Sequence, residues 1–139
     1  VYLPVFVPGG LLALGDVHAL MGDGEVNGQG IEVAAEVEVQ VGVVEGFPIR
    51  GPVVEGPDFW ATLGHGGSLD EAARRAISEM VRLLSLALNV PAAEALLLVG
   101  LAGRVGICQL VCPVKTARVE VPKSVVPSGL IPPGMGDEM

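Results

Sequence analysis

Residues 31–46, IEVAAEVEVQVGVVEG, alternate apolar and polar side chains with a period of two. Val33, Ala35, Val37, Val39 and Val41 fall on one face. Glu32, Ala34, Glu36, Glu38 and Gln40 fall on the other. This predicts a strand with one buried face, long enough to need a bend or a join between sheets. A different period governs LGHGGSLDEAARRAISEMVRLLSLALNV. Leu69, Ala72, Ala73, Ile77, Met80, Val81, Leu84 and Leu88 form a stripe at helical spacing, with Arg74, Arg75, Glu79 and Arg82 on the wet side. Ser68 followed by Glu71 reads as a capping box, and Asp70 and Glu71 suit the helix N-terminus. The predicted helix runs over 68–88.

A second helix is predicted over 91–102, with Asn89 as its cap and Pro91 in its first turn. Its thin polar face predicts burial, and the short link makes an αα-hairpin. The other pieces read as strands: 1–10, limited by Pro4 and Pro8; 11–18; 59–63; and 105–111 with 115–121, split by Pro113. Residues 47–57 form a punctuated connection with short extended pieces. The chain reads as one domain over 1–139, with a loose tail at 127–139.

Composition narrows the function. The chain has 139 residues, half of them apolar, and a formal net charge of -8. That balance argues against nucleic acid and anionic membrane surfaces, which need clustered Lys and Arg. A cation or a small neutral substrate fits better. The longest apolar stretch, AEALLLVGLAGRVG, is bounded by Glu94 and Arg104, and a spanning helix needs about 20 residues. No charged region precedes an apolar run at the start, so no signal peptide is expected. The opening VYLPVFVPGG lacks Met and reads as an internal cut. Cys108 and Cys112 would lie roughly 13 Å apart on a strand, so free thiols, a reducing compartment and a cytoplasmic location are expected.

The chemistry concentrates in GDVHALMGDGEVNGQGIE, residues 15–32. On an extended backbone Asp16 and His18 share a face and can reach one cation. The glycines allow a tight return that brings Asp23 and Glu25 back towards it. Glu25 or Glu32 then becomes the candidate general base for a water at the ion. The same residues also read as an acidic turn around a hydrogen-bonded histidine. DGEVNG imitates the start of an EF-hand loop, but the twelfth place is Ala34 rather than Glu. The glycines miss the dinucleotide fingerprint as well, because Asn27 stands where its third Gly belongs. Elsewhere, Cys108 and Cys112 read as core or structural residues in the apolar GICQLVCPVK. His65 reads as part of the turn before a helix. No G-x-S-x-G is present, and Glu36 and Glu38 read as a solvated face.

PVFVPGGLLALGDVHALMGDGEVNGQGIE, LGHGGSLDEAARRAISEMVRLL, EALLLVGLAGRVGICQLV and VEVPKSVV together resemble the acetamidase/formamidase family of amide hydrolases, in order and spacing. The GDxHAxxGDGE core is the specific part. The resemblance implies an α+β fold, β-sandwich-like with a helical pair appended. It implies a divalent metal, zinc or alternatively calcium, and hydrolysis of short amides to a carboxylate and ammonia. The family motif falls on Asp16, His18, Asp23, Gly24 and Glu25, with Glu32 closing it. Asp16, His18 and Asp23 are then the expected metal set, and Glu25 and Glu32 the catalytic carboxylates. Met21 stands where relatives often carry Gln, and Gly103-Arg104 where a more acidic pattern is common. Family members carry a further N-terminal β-rich region, so the chain is expected to be the C-terminal portion of a longer one. A homo-oligomer or association with that missing half is expected. The alternative is a non-catalytic metal-binding or assembly subunit that keeps the fold.

Overall fold

The computed structural model describes residues 1–126 and 129–131. Its regular elements lie in β1 (Val53–Glu55), β2 (Phe59–Gly66), α1 (Leu69–Leu88), α2 (Ala92–Ala102), β3 (Arg104–Gln109) and β4 (Lys115–Pro122), followed by a 3₁₀ turn over Lys123–Val125. The four strands form one antiparallel sheet in the order β1-β2-β4-β3. With the two helices this is the α+β fold expected. No single helix among the described residues is long and apolar enough to cross a membrane.

The core lies between α1 and the two central strands. Trp60, Thr62 and Gly64 of β2 stand opposite Val121, Val119 and Ala117 of β4, and all six are buried. Met80, Leu83 and Leu84 of α1 complete the interior. Thr62 Oγ1 donates to Ala76 O at 2.7 Å, which pins the helix to the sheet. The chain's one tryptophan, Trp60, is 3% exposed. The Tyr2 ring lies 6.2 Å from it and Lys123 Nζ 5.4 Å.

The Ser68 cap forms as read, with the reciprocal bond from Glu71 displaced by one residue, to Gly67. Ser68 Oγ accepts from Glu71 N at 3.2 Å, and Glu71 Oε2 reaches back to Gly67 N at 2.9 Å. Two details differ from the pattern. Asn89 caps the C-terminus of α1 in the left-handed region, φ 52, and Pro91 is the N-cap of α2. With so short a link, Asn89 is already committed to ending α1, since Asn tolerates that conformation. The axes of the two helices turn by 115°, so only Ala95 and Val99 of α2 are buried. Leu96, Leu97 and Leu101 stay exposed, against the buried helix expected.

Glu79 is also inside rather than on the wet face. Its carboxylate accepts from Arg82 Nε at 3.0 Å and from Arg50 N at 2.8 Å. Burial raises its carboxyl pKa, but the hydrogen bonds from Arg82 and Arg50 N, with the charges of both arginines, outweigh burial and hold it below the ordinary value. The folded form therefore takes up this proton less readily than the unfolded chain. The stability it contributes is complete above the ordinary glutamate value, about 4.3, and is lost as pH falls through the lower folded value. Glu79→Gln is expected to lower stability at neutral pH by about 1–3 kcal/mol. It should also flatten the acid limb when urea midpoints are measured from about pH 7 to pH 3.

The first 52 residues carry no regular strand. The period-two runs at 1–10, 11–18 and 31–46 contribute only single bridges, Tyr2 to Val53 and His18 to Glu32. Alternation fixes which way side chains point when the backbone is extended, but it does not supply the hydrogen-bonding neighbour a strand requires. In the predicted tail, Leu130 is buried in the core. Residues 127–128 and 132–139 of that tail lie outside the described residues.

Candidate metal centre

Residues 17–20 and 31–33 run antiparallel. Ala19 N donates to Ile31 O at 2.8 Å, Ile31 N to Leu20 O at 2.9 Å, and Val33 N to Val17 O at 3.3 Å. This pairing sets His18 directly across from Glu32. Gly30 lies under the imidazole so closely that any β-carbon there would overlap Nδ1 and Cγ of His18. Asp16 takes φ 60, a left-handed turn that Asp tolerates. Its carboxylate thus reaches His18 through a local bend rather than along the extended strand expected over 11–18.

His18 Nε2 lies 2.8 Å from Glu32 Oε1 and 3.1 Å from Asp16 Oδ1. Nδ1 lies 3.3 Å from Met21 Sδ, so Met21 occupies the other ring nitrogen. The His18 side chain is 10% exposed, whereas Asp16 and Glu32 are 82% and 70% exposed. Desolvation lowers the imidazole pKa. The hydrogen bond and charge of Glu32, followed by the charges of Asp16 and Glu25, outweigh it and raise the imidazole above its ordinary value. One ligand atom from each of Asp16, His18 and Glu32 lies within 4.8 Å of the others. An imidazole nitrogen with two carboxylate oxygens is a donor set that fits zinc, and the carboxylates also suit a harder cation. The cysteines and His65 are not part of this group.

Asp23 and Glu25 are not in this group, though the charge of Glu25 is felt at His18. The turn that carries them docks on the β3 edge, where Leu110 N donates to Gly24 O at 2.9 Å. Arg118 grips the Asp23 carboxylate with both terminal nitrogens, at 3.1 and 2.8 Å, and its Nε donates to Glu120 at 2.5 Å. The hydrogen bond and charge of Arg118 hold the Asp23 carboxyl below its ordinary range. Asp23, expected among the metal ligands, is thus placed as an anchor for the turn. Gln109 Nε2 donates to Glu25 Oε2 at 2.7 Å, while Gln109 Oε1 accepts from Val111 N at 2.9 Å. Glu25 has φ 47, an uncommon backbone state for this residue type.

Sequence reasoning missed Arg118 and Gln109. The signal for Gln109 was present, since it is one of two polar residues in GICQLVCPVK; Arg118 sits on the polar row of the next strand with Thr116 and Glu120 and gives no local signal of its partner. A cleft of about 690 Å3 does not adjoin His18. It lies between α1 and the end of β2 and is lined by Arg50, His65, Arg74 and Arg82 among others.

The sequence profile of the Acetamidase/Formamidase family matches residues 1–126. The chain belongs to the acetamidase/formamidase family. Among solved structures, a predicted acetamidase/formamidase from Thermoanaerobacter tengcongensis is 42% identical with a TM-score of 0.86, covering 90% of this chain and 42% of that one. An acetamidase from Bacillus halodurans is 35% identical with a TM-score of 0.79, covering 91% and 43%. A formamidase from Methylophilus methylotrophus is 34% identical over 85 residues, 54% of this chain and 21% of that protein. The chain thus spans less than half the length of these family members.

Proposed function

We propose that this chain carries the metal-binding and proton-transferring part of an amidase that cleaves short linear amides, formamide and acetamide, to carboxylate and ammonia. The observation that supports it most is the convergence of Asp16, His18 and Glu32 within 4.8 Å, with the charge of Glu25 close enough to be felt at His18. Asp16, His18 and Glu32 would hold a divalent cation, zinc or alternatively calcium. When bound, that cation supplies Lewis-acid polarisation of the amide carbonyl and makes a nearby water more acidic. Both acids of the set are largely exposed, which leaves the centre open to water and a small substrate, as catalysis requires, rather than enclosed as a structural site is.

Glu25 is the proton carrier in this reading. Gln109 holds one of its carboxylate oxygens, Oε2, so the side chain is oriented while Oε1 stays available. It accepts a proton from the attacking water and returns one to the departing nitrogen. Met21 faces Nδ1 of His18 and leaves Nε2 turned to the two acids. Arg118, by fixing Asp23, holds the turn that presents Glu25. A cytoplasmic setting accords with the two free cysteines.

The test is ammonia release from formamide together with zinc binding, both on this chain. Glu25→Gln is expected to keep zinc affinity and to lower turnover by about 10²–10⁴-fold. Unchanged ammonia release in that variant would remove Glu25 from the proposal. Absence of turnover in the unmodified, zinc-loaded chain would remove catalysis by this part alone and favour the metal-binding subunit.

A further inference from the structure

Met21 puts a thioether against the candidate metal centre. Its Sδ lies 3.3 Å from Nδ1 of His18, the ring nitrogen that does not face the two acids, and the residue is 45% exposed. In a histidine metal site the nitrogen away from the ion donates its hydrogen to an outer partner, which fixes the tautomer and the orientation of the ring. Here that partner is a sulfur lone pair, a weak acceptor and one open to oxidation. The ring has little room to move. Gly30 lies so close beneath it that a β-carbon there would overlap Nδ1 and Cγ. Glu32 Oε1 and Asp16 Oδ1 stand 2.8 and 3.1 Å from Nε2.

We infer that Met21 is an oxidative modification site, at which an oxidant of the peroxide class displaces His18 from Asp16 and Glu32. That the displacement weakens cation binding rests on the metal-centre reading above. In the step, a lone pair of the Met21 sulfur attacks one oxygen of hydrogen peroxide. The S–O bond forms as the O–O bond breaks, and sulfur gives up two electrons to the peroxide. The other oxygen takes the proton of the transferred one and leaves as water.

The sulfoxide that results is larger and polar. Its sulfur carries partial positive charge and no longer accepts from the Nδ1 hydrogen. If the new oxygen points at the ring, a contact of 3.3 Å has no space for it. If it points away, the ring hydrogen faces a positive sulfur. In both cases the imidazole has to swing away from Met21. Gly30 blocks one face of the ring, so the swing carries Nε2 off the two carboxylates. Met80 is an internal comparison, since the same thioether there is fully buried in the core.

The probe is hydrogen peroxide on the metal-free 139-residue chain, followed by zinc titration. Met21→Leu is treated alike, because leucine fills a similar volume and has no sulfur to oxidise. Both chains keep Cys108, Cys112 and the other methionines, so oxidation at those places is common to both. Peptide mass analysis should find one added oxygen at Met21 and none at Met80. The imidazole proton signals of His18 should shift while those of His65 stay. Zinc affinity should fall by about ten- to a hundredfold, the range for loss of an outer partner. Met21→Leu should show no peroxide-dependent change in either readout, and a methionine sulfoxide reductase should restore both in the unmodified chain. Oxidised Met21 with the His18 signals in place, zinc binding unchanged or tightened by peroxide, or an equal loss in Met21→Leu would overturn the inference. A chain that binds no zinc before treatment overturns the metal-centre reading, and the His18 signals then decide alone whether oxidation of Met21 moves the ring.

Discussion

Gly64→Val is expected to lower the free energy of unfolding by about 3 kcal/mol or more. Gly64 sits in β2 with its open side towards α1, and a β-carbon there would land on the backbone of the helix, at Ala72 O and Ala76 N. Backbone atoms cannot rotate aside as a flexible side chain can. The helix has no freedom to retreat, because Thr62 bonds Ala76 O and Met80, Leu83 and Leu84 are fully packed behind it. The change therefore has to separate the two layers of the core. Gly100→Ala is the control. It lies within α2 with open space where its β-carbon would be, and it should be neutral or stabilising by up to about 1 kcal/mol. Urea unfolding of both variants decides the matter. A Gly64→Val midpoint equal to that of the unmodified chain would mean that α1 does not approach β2 this closely.

His18→Ala is expected to weaken zinc binding by roughly a hundredfold or more, since loss of a direct ligand should exceed the 10–100-fold effect of changing an outer partner. His18 supplies the nitrogen of the candidate centre and is its least exposed member. Glu32→Ala should follow the same direction. Asp23→Ala should leave zinc affinity nearly intact, because its carboxylate is held by Arg118 and not aimed at His18. Calorimetric titration of the three variants separates the roles. A loss for Asp23→Ala as large as that for Glu32→Ala would return Asp23 to the ligand set and displace the grouping proposed here.

What the sequence disclosed depended on how local the cause was. The α1 helix was legible because its cap and apolar stripe lie within one stretch of chain, and Ser68 and Glu71 bond as their spacing predicts. The β2, β3 and β4 strands were legible from alternation bounded by Gly and Pro. Glu79 was misread because one of the groups that satisfy it inside, Arg50 N, belongs to a distant loop. The run at 31–46 was read as a strand from its period, yet a strand also needs a neighbour, and no local pattern shows whether one is present. The site followed the same rule. Asp16 and His18 were legible as neighbours from their spacing, whereas Glu32, read as a catalytic carboxylate, joins them through a pairing of residues 17–20 with 31–33 that the spacing alone did not show. The hydrogen-bond partners of Asp23 and Glu25 were not legible, since Arg118 stands 95 positions from the first and Gln109 stands 84 from the second.

The position of Trp60 has a practical consequence. The protein's sole indole fluorophore sits where the first residues, the central strands and the 3₁₀ turn converge, with a phenol ring and an ammonium group as its quenching neighbours. Its emission spectrum should therefore report detachment of the leading peptide from the sheet, without any added dye.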